Sequence, residues 1–342
     1  MNILITGGAG FLGRGLATAL LQRGQLGGRG IERLMLADLV APQDPALVND
    51  ERVSVSTGDL LAHVPALMAD GPWDAVFHLA SAVSGECEAN FDLGLHANLD
   101  STRALLDACR VQTASGHAPP MFFFSSSVAV FGSDPAISLP GVVLDNTLPT
   151  PQSSYGIHKF VCEQLVADYT RKGFIDGRAA RLMTVSVRPG RPNGAASGFL
   201  SGLFREPLAG EKSNCPVSLD TEVAIASPAT TIAGILAVAE ASREAFGGRT
   251  AINLPALTVC VRDMLTAFEA LCGPDPLSLL SYEPDANVAR IVAAWPSRFD
   301  SQRAPALGLV PDPDFGSVLR QYVQHHADAV THPDARARLG LV

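Results

Sequence analysis

The chain has 342 residues, with 25 basic against 34 acidic side chains and a formal net charge of -9. That balance argues against an electrostatic affinity for nucleic acid or for an anionic membrane. At 47% hydrophobic and 17% charged residues the chain is too apolar for extensive disorder, and it is long enough for one large core with an appendage.

Met1-Asn2 leads straight into the apolar run Ile3-Leu4-Ile5, with no cationic flank, so no secretory leader is expected and a cytoplasmic location is. The run from Asn2 to Thr6 predicts a first strand, and similar runs follow at 33–38, 53–57, 75–79, 121–125 and 182–187. Helical spacing between them marks 11–23, 91–113 and 154–172. Near-continuous apolar strands alternating with helices predict an α/β fold: a doubly wound parallel sheet of Rossmann type, covered on both faces. Residues 188–211, rich in Gly, Pro, Ser and Asn, read as a loop leaving the sheet edge where such folds place their ligands. The apolar stretch 223–239 is too short for a bilayer and reads as a buried helix, with Ser227-Pro228 as an N-cap followed by Pro in the first turn. A smaller C-terminal substrate lobe should follow. Residues 1–187 with about 222–256 are assigned to the dinucleotide domain, and 188–221 with 257–342 to the lobe. Six cysteines (87, 109, 162, 215, 260 and 272) show no C-x-x-C spacing, so free thiols are expected, and neither a disulfide frame nor a metal site.

Gly7, Gly10 and Gly13 stand between the first strand and the first helix, with Phe11 and Leu12 inside the pattern. This spacing lets the chain turn tightly, approach a pyrophosphate with its backbone, and pack the helix on the strand with its N-terminus toward the anion. Asp38 ends the second strand, where a carboxylate accepts from ribose hydroxyls and repels a 2′-phosphate, and no Arg follows closely. NAD is therefore the expected cofactor. Asp59 and Leu60 after the third strand, and Leu79, Ala80 and Ser81 after the fourth, should edge the adenine and the phosphates.

Tyr155 and Lys159 lie four residues apart at a helix start, so both project from one face. With four Tyr and only Lys159, Lys172 and Lys212 as lysines, that spacing arises by chance roughly 0.04 times in such a chain. An alcohol oxidation needs a base, and a Tyr serves near neutral pH only beside a cation that stabilises its phenolate. Ser127, at the end of the fifth strand, can orient the substrate alcohol. The expected catalytic set is Ser127, Tyr155 and Lys159.

These residues resemble the extended short-chain dehydrogenases/reductases. The matching stretches are 6–13, Asp38, 58–60, 78–80, 98–102, 125–132, 155–159 and 188–190, most of the chain up to residue 190. The resemblance implies that Lys159 and Tyr155 also bind the nicotinamide ribose, and that Asn98 and Pro189 line the cofactor. It further implies a homodimer through helices 91–113 and 154–172. Phe131 stands where many members have Tyr, Ser101 where many have Gly, and 226–228 where many are acidic. The stretches 154–193 and 205–208 are most similar to members that oxidise the four-carbon sugar acid D-erythronate to its 2-oxo acid.

Arg188, Arg191 and Arg205 fall in a segment free of Asp and Glu, which suits an anionic substrate, because Arg can hold a carboxylate with two parallel hydrogen bonds. Arg191, restrained by Pro192, is the first candidate for the acid and Arg205 the next. Asn193, Ser81, Ser127 and Tyr155 complete the expected substrate set. His96 and His158 lack a catalytic spacing and read as structural. Two other readings stand beside a sugar-acid dehydrogenase. One is a nucleotide-sugar epimerase or dehydratase, although Ser127 is followed by Val128-Ala129 and not by the acidic pair of dehydratases. The other is an NAD sensor without turnover, which the intact catalytic set disfavours.

Overall fold

The computed structural model describes residues 1–192 and 194–341. The strands of its two larger sheets in chain order are β1 (Asn2–Thr6), β2 (Arg33–Asp38), β3 (Val53–Thr57), β4 (Ala75–His78), β5 (Met121–Ser127), β6 (Asp176–Leu182), β7 (Thr184–Val185), β8 (Glu222–Ala226), β9 (Ile252–Asn253) and β10 (Leu257–Cys260). The main helices are α1 (Phe11–Arg23), α2 (Leu60–Ala69), α3 (91–114), α4 (Ser154–Arg171), α5 (Phe199–Leu208), α6 (Pro228–Glu240), α7 (Val261–Cys272), α8 (Ala286–Ala293) and α9 (Phe315–His325).

The opening apolar run becomes the middle of the sheet. Among the described residues seven strands pair in the order β9-β6-β5-β4-β1-β2-β3, all parallel. Ile3 and Ile5 pack on one face with Leu16, Leu20 and Ile235, whereas Leu4 packs on the other with Val76, Leu105 and Phe122. Period-two alternation thus feeds two cores, which is why the run carries no polar residue. Between β1 and β4 the winding direction reverses, and the C-terminal strand ends there leave a crevice. A second core surrounds Leu203, Phe204, Phe268, Phe315 and Leu319. Its small sheet runs β7-β8-β10, with β8 parallel to β7 and antiparallel to β10. No helix among the described residues is long and apolar enough to cross a membrane.

Several expected elements lie elsewhere. The sixth parallel strand is Asp176–Leu182, not 182–187. Its two arginines hid it, since Arg178 and Arg181 are buried only because each is matched. Arg178 donates to Ala241 O at 2.6 Å, and Arg181 grips both Glu163 oxygens at 2.9 and 2.8 Å under the Phe131 ring. The stretch 223–239 is not one helix: it divides at Ser227, whose hydroxyl accepts from Thr230 N at 3.1 Å, into a strand and a Pro-started helix. The expected loop 188–211 contains α5, which buries Leu200, Leu203, Phe204 and Leu208. Helix α3 is interrupted by a π-turn at Leu95–Asp100, and α2 forms around Pro65, capped by the Asp59 side chain on Ala62 N.

The Glu163–Arg181 pair is almost wholly buried, with side-chain exposures of 1% and 6%. Glu163→Ala would leave a guanidinium without its counter-charge in the interior, at a cost of about 3–5 kcal/mol. Denaturant unfolding should show that loss, and a change below about 1 kcal/mol would contradict it.

Candidate active site

The glycine loop is closed on itself. Gly10 N donates to Gly7 O at 3.2 Å, and Gly7 has φ +73°, with Ala80 N only 2.8 Å from where a Cβ would sit. A Cβ on Gly13 would lie 2.1 Å from Gly7 O, so only glycine lets α1 start there. Phe11 and Leu12 begin that helix and line the crevice. The two oxygens of Asp38 accept from Ala9 N at 2.9 Å and Leu39 N at 2.7 Å, which sets its carboxylate over the loop. Asp59 caps α2 with one oxygen and lies 2.9 Å from His96 Nε2 with the other. The His96 ring holds that carboxyl below the usual carboxylate range. Leu60 is the first residue of α2. Asn98, inside the π-turn, pins the segment after β4: its Oδ1 accepts from Ala82 N at 2.7 Å and Ser81 Oγ at 3.0 Å. Pro189 is half-buried on the loop beyond Arg188.

Ser127, Tyr155 and Lys159 meet in one cavity of about 200 Å³, with Phe11, Leu12, Leu79, Ser81 and Arg188 also in its wall. Lys159 Nζ donates to Ser125 O at 2.8 Å and stands 5.5 Å from the centre of the Tyr155 ring. Ser127 ends β5, and its Oγ accepts from Ala129 N at 3.1 Å. Burial pushes the Tyr155 phenol up to about 12, while the Ser127 and Ser81 hydroxyls and the Arg188 charge pull it back. Burial likewise lowers Lys159 to about 8, against the negative charge of neighbours that include Glu163. A phenol ringed by two hydroxyls and two cations in a largely apolar cavity is equipped to exchange a proton with a bound alcohol.

The arginines separate. Arg188 lines the cavity; its Nε donates to Val185 O at 2.9 Å and its Nη2 to Ser197 Oγ at 2.6 Å. Arg205 is outside the cavity wall, donating through Nη1 to Arg188 O at 3.0 Å and through Nη2 to Glu206 Oε1 at 2.5 Å. Arg191 is exposed on the loop, and Asn193 lies outside the described residues. Arg188 was absent from the expected substrate set, although its position as the first residue after Val187, at the ligand-binding edge, carried a signal. Trp295 and Met183 also line the cavity without any motif to announce them. His158 is buried beside Phe91.

The family model described as "NAD dependent epimerase/dehydratase family" matches residues 3–224. The chain belongs to this family. It is 47% identical over 331 residues to D-erythronate dehydrogenase of Cupriavidus necator, covering 95% of this chain and 98% of that one. It is 40% identical to the protein of the same name from Haemophilus influenzae, covering 95% and 99%. Among solved structures, one from Agrobacterium tumefaciens described as a nucleoside-diphosphate-sugar epimerase superposes with a TM-score of 0.88 at 36% identity, covering 96% of this chain and 95% of that one.

The family's NAD fits the residues present. In the Gly7–Gly13 turn a Cβ would run into Ala80 N or Gly7 O, so glycine alone allows the tight backbone turn that suits a pyrophosphate at the start of α1, and Asp38 offers carboxylate acceptors for a ribose. A 2′-phosphate facing the Asp38 carboxylate would meet like charge, worth several kcal/mol. Steady-state kinetics should therefore favour NAD over NADP by roughly 10²-fold or more in kcat/KM. Equal efficiency with both cofactors would contradict the role given to Asp38.

Proposed function

We propose that this protein oxidises D-erythronate to its 2-oxo acid with NAD. The observation that carries the reading is the half-buried guanidinium of Arg188 in the wall of the same cavity as Ser127 and Tyr155. In a 2-hydroxy acid the reacting carbon adjoins the carboxylate, so the cation that holds the acid must share a cavity with the base. Arg188 satisfies this condition. Two relatives named D-erythronate dehydrogenase, alike over nearly their whole length, support the same substrate.

Gly7, Gly10, Phe11, Leu12 and Gly13 would hold the pyrophosphate, Asp38 the adenosine ribose, and Asp59 with Leu60 the adenine. Leu79, Ala80, Ser81 and Pro189 would flank the rest, and Tyr155 and Lys159 the nicotinamide ribose. Asn98 fixes the segment that carries Ser81. Bound NAD supplies the hydride acceptor. Tyr155 takes the hydroxyl proton as the C2 hydrogen leaves with its electron pair, so that the C–O bond becomes a carbonyl. Ser127 and Ser81 orient the hydroxyl, and the charges of Lys159 and Arg188 stabilise the phenolate.

The apolar side chains of Phe91, Ile157 and Val161 stand 60%, 48% and 38% exposed on α3 and α4, which supports a homodimer through these helices. Light scattering should give twice the chain mass, falling to the monomer in Ile157→Glu/Val161→Glu. An unchanged mass in that variant would contradict this interface. The six cysteines, all free and mostly buried, support a reducing, cytoplasmic setting.

Incubation with NAD and a panel of sugar acids and nucleotide sugars, followed by absorbance of the reduced cofactor, tests the activity. D-erythronate should reduce NAD. Tyr155→Phe should keep NAD binding and lower kcat by 10²–10⁴-fold. Arg188→Gln should lower kcat/KM for the acid by about 10²–10³-fold. It should also move the acidic limb of the kcat/KM profile to higher pH, because the Arg188 charge lowers the Tyr155 pKa. Turnover of a nucleotide sugar without net reduction of NAD, or an Arg188→Gln variant with unchanged kinetics, would overturn the proposal.

A further inference from the structure

Ser197, Ser201 and Arg205 recur every four residues through the turn Ala196–Gly198 and helix α5, and their exposures are only 6%, 1% and 8%. Such spacing puts them on one face. All three are bonded to Arg188, each to a different part of it. Ser197 Oγ accepts from the guanidinium Nη2 at 2.6 Å, Ser201 Oγ accepts from the backbone N at 3.0 Å, and Arg205 Nη1 donates to the backbone O at 3.0 Å. A fourth bond, from Nε to Val185 O at 2.9 Å, completes the set. The near-complete burial of Ser201 leaves its hydroxyl no route to a substrate. Arg205 is committed in the same way, with its other terminal nitrogen on Glu206.

We infer that the Ser197–Ser201–Arg205 stripe is a positioning device for acid recognition, and that Arg205 sets where the Arg188 guanidinium meets the substrate carboxylate without touching the substrate itself. This rests on the assignment of Arg188 to the carboxylate. With Nε and Nη2 already committed, Nη1 is the nitrogen whose position the stripe fixes for the ligand. An arginine left free in a cavity loses rotamer freedom on binding, whereas one held in place beforehand has lost it during folding, so affinity rises without any added contact. The same logic explains a buried serine in the turn and another in helix α5, whose buried face is apolar apart from Ser201 and Arg205.

Removing Arg205 alone would strand the Glu206 carboxylate, which is only 12% exposed, and would confuse positioning with an uncompensated buried charge. The test therefore uses the double variant Arg205→Met/Glu206→Gln, with Ser201→Ala as an independent probe of the stripe and Arg188→Gln in parallel. KM for D-erythronate, kcat, NAD affinity by fluorescence quenching and the thermal midpoint are measured for each. The double variant and Ser201→Ala should raise KM by about tenfold or more, leave kcat within about threefold and leave NAD affinity unchanged. Arg205→Lys, which keeps a donor for Arg188 O and a charge for Glu206, should recover most of the loss. A double variant with wild-type KM would overturn the inference. So would one that loses kcat, NAD affinity and thermal stability together with KM, since that is the signature of a merely structural residue. If Arg188→Gln raises KM and the stripe variants do not, the stripe alone fails; if Arg188→Gln leaves KM unchanged, the carboxylate assignment fails with it.

Discussion

The end of β5 and the first three turns of α4 are fastened to each other residue by residue, and the rest of the site is built on that seam. Tyr155, Lys159 and Glu163 stand at four-residue intervals on one helix face, opposite Ser127, Ser125 and Ser126. Lys159 Nζ donates to Ser125 O at 2.8 Å, and Ser126 Oγ donates to Glu163 Oε1 at 2.5 Å. Arg181 from β6 then neutralises Glu163 from the far side. Two buried charges behind the cavity are costly unless each keeps its partner. The arrangement holds because strand, helix and next strand each contribute one charged or polar member. It is also why an Arg-bearing strand can sit inside the sheet.

That seam places a phenol and an ammonium where burial acts against both. The Tyr155 phenol is pushed up to about 12 and Lys159 down to about 8, so desolvation favours the neutral form of each. Proton transfer then depends on the groups that favour the phenolate, among them the two serine hydroxyls and the positive charge of Arg188. In the proposed reaction one arginine would have two effects: it would attract the anion of the substrate, and its charge lowers the pKa of the phenol beside it. A substrate whose carboxylate adjoins its reacting hydroxyl makes use of both at once.

The parallel sheet, the glycine turn and the Tyr155–Lys159 face were legible in the sequence because each depends on local spacing that side-chain size enforces. Gly13 must lack a Cβ, Ile3 to Ile5 must be apolar on both faces, and two residues four apart must share a helix face. What was illegible depended on partners distant in sequence. Strand β6 reads as polar until Glu163 and Ala241 are seen to accept from its arginines. Helix α5 is obscured by the Gly- and Pro-rich segment before it, and shows itself only through the second core it packs against. Of three arginines in one segment, composition could not tell which enters the cavity; that is decided by Ser197, Ser201 and Arg205, which bind Arg188 through tertiary contacts.

The central claim is that Arg188 reads the carboxylate while Tyr155 and Ser127 handle the adjoining hydroxyl. A crystal structure of the abortive complex with NAD and a non-reacting 2-hydroxy-acid analogue tests it most directly. The account predicts a carboxylate oxygen within hydrogen-bond distance of Arg188 Nη1 and the C2 substituent between the Ser127 and Tyr155 oxygens. A carboxylate held by Arg191 on the exposed loop, with Arg188 making no contact to the ligand, would contradict it.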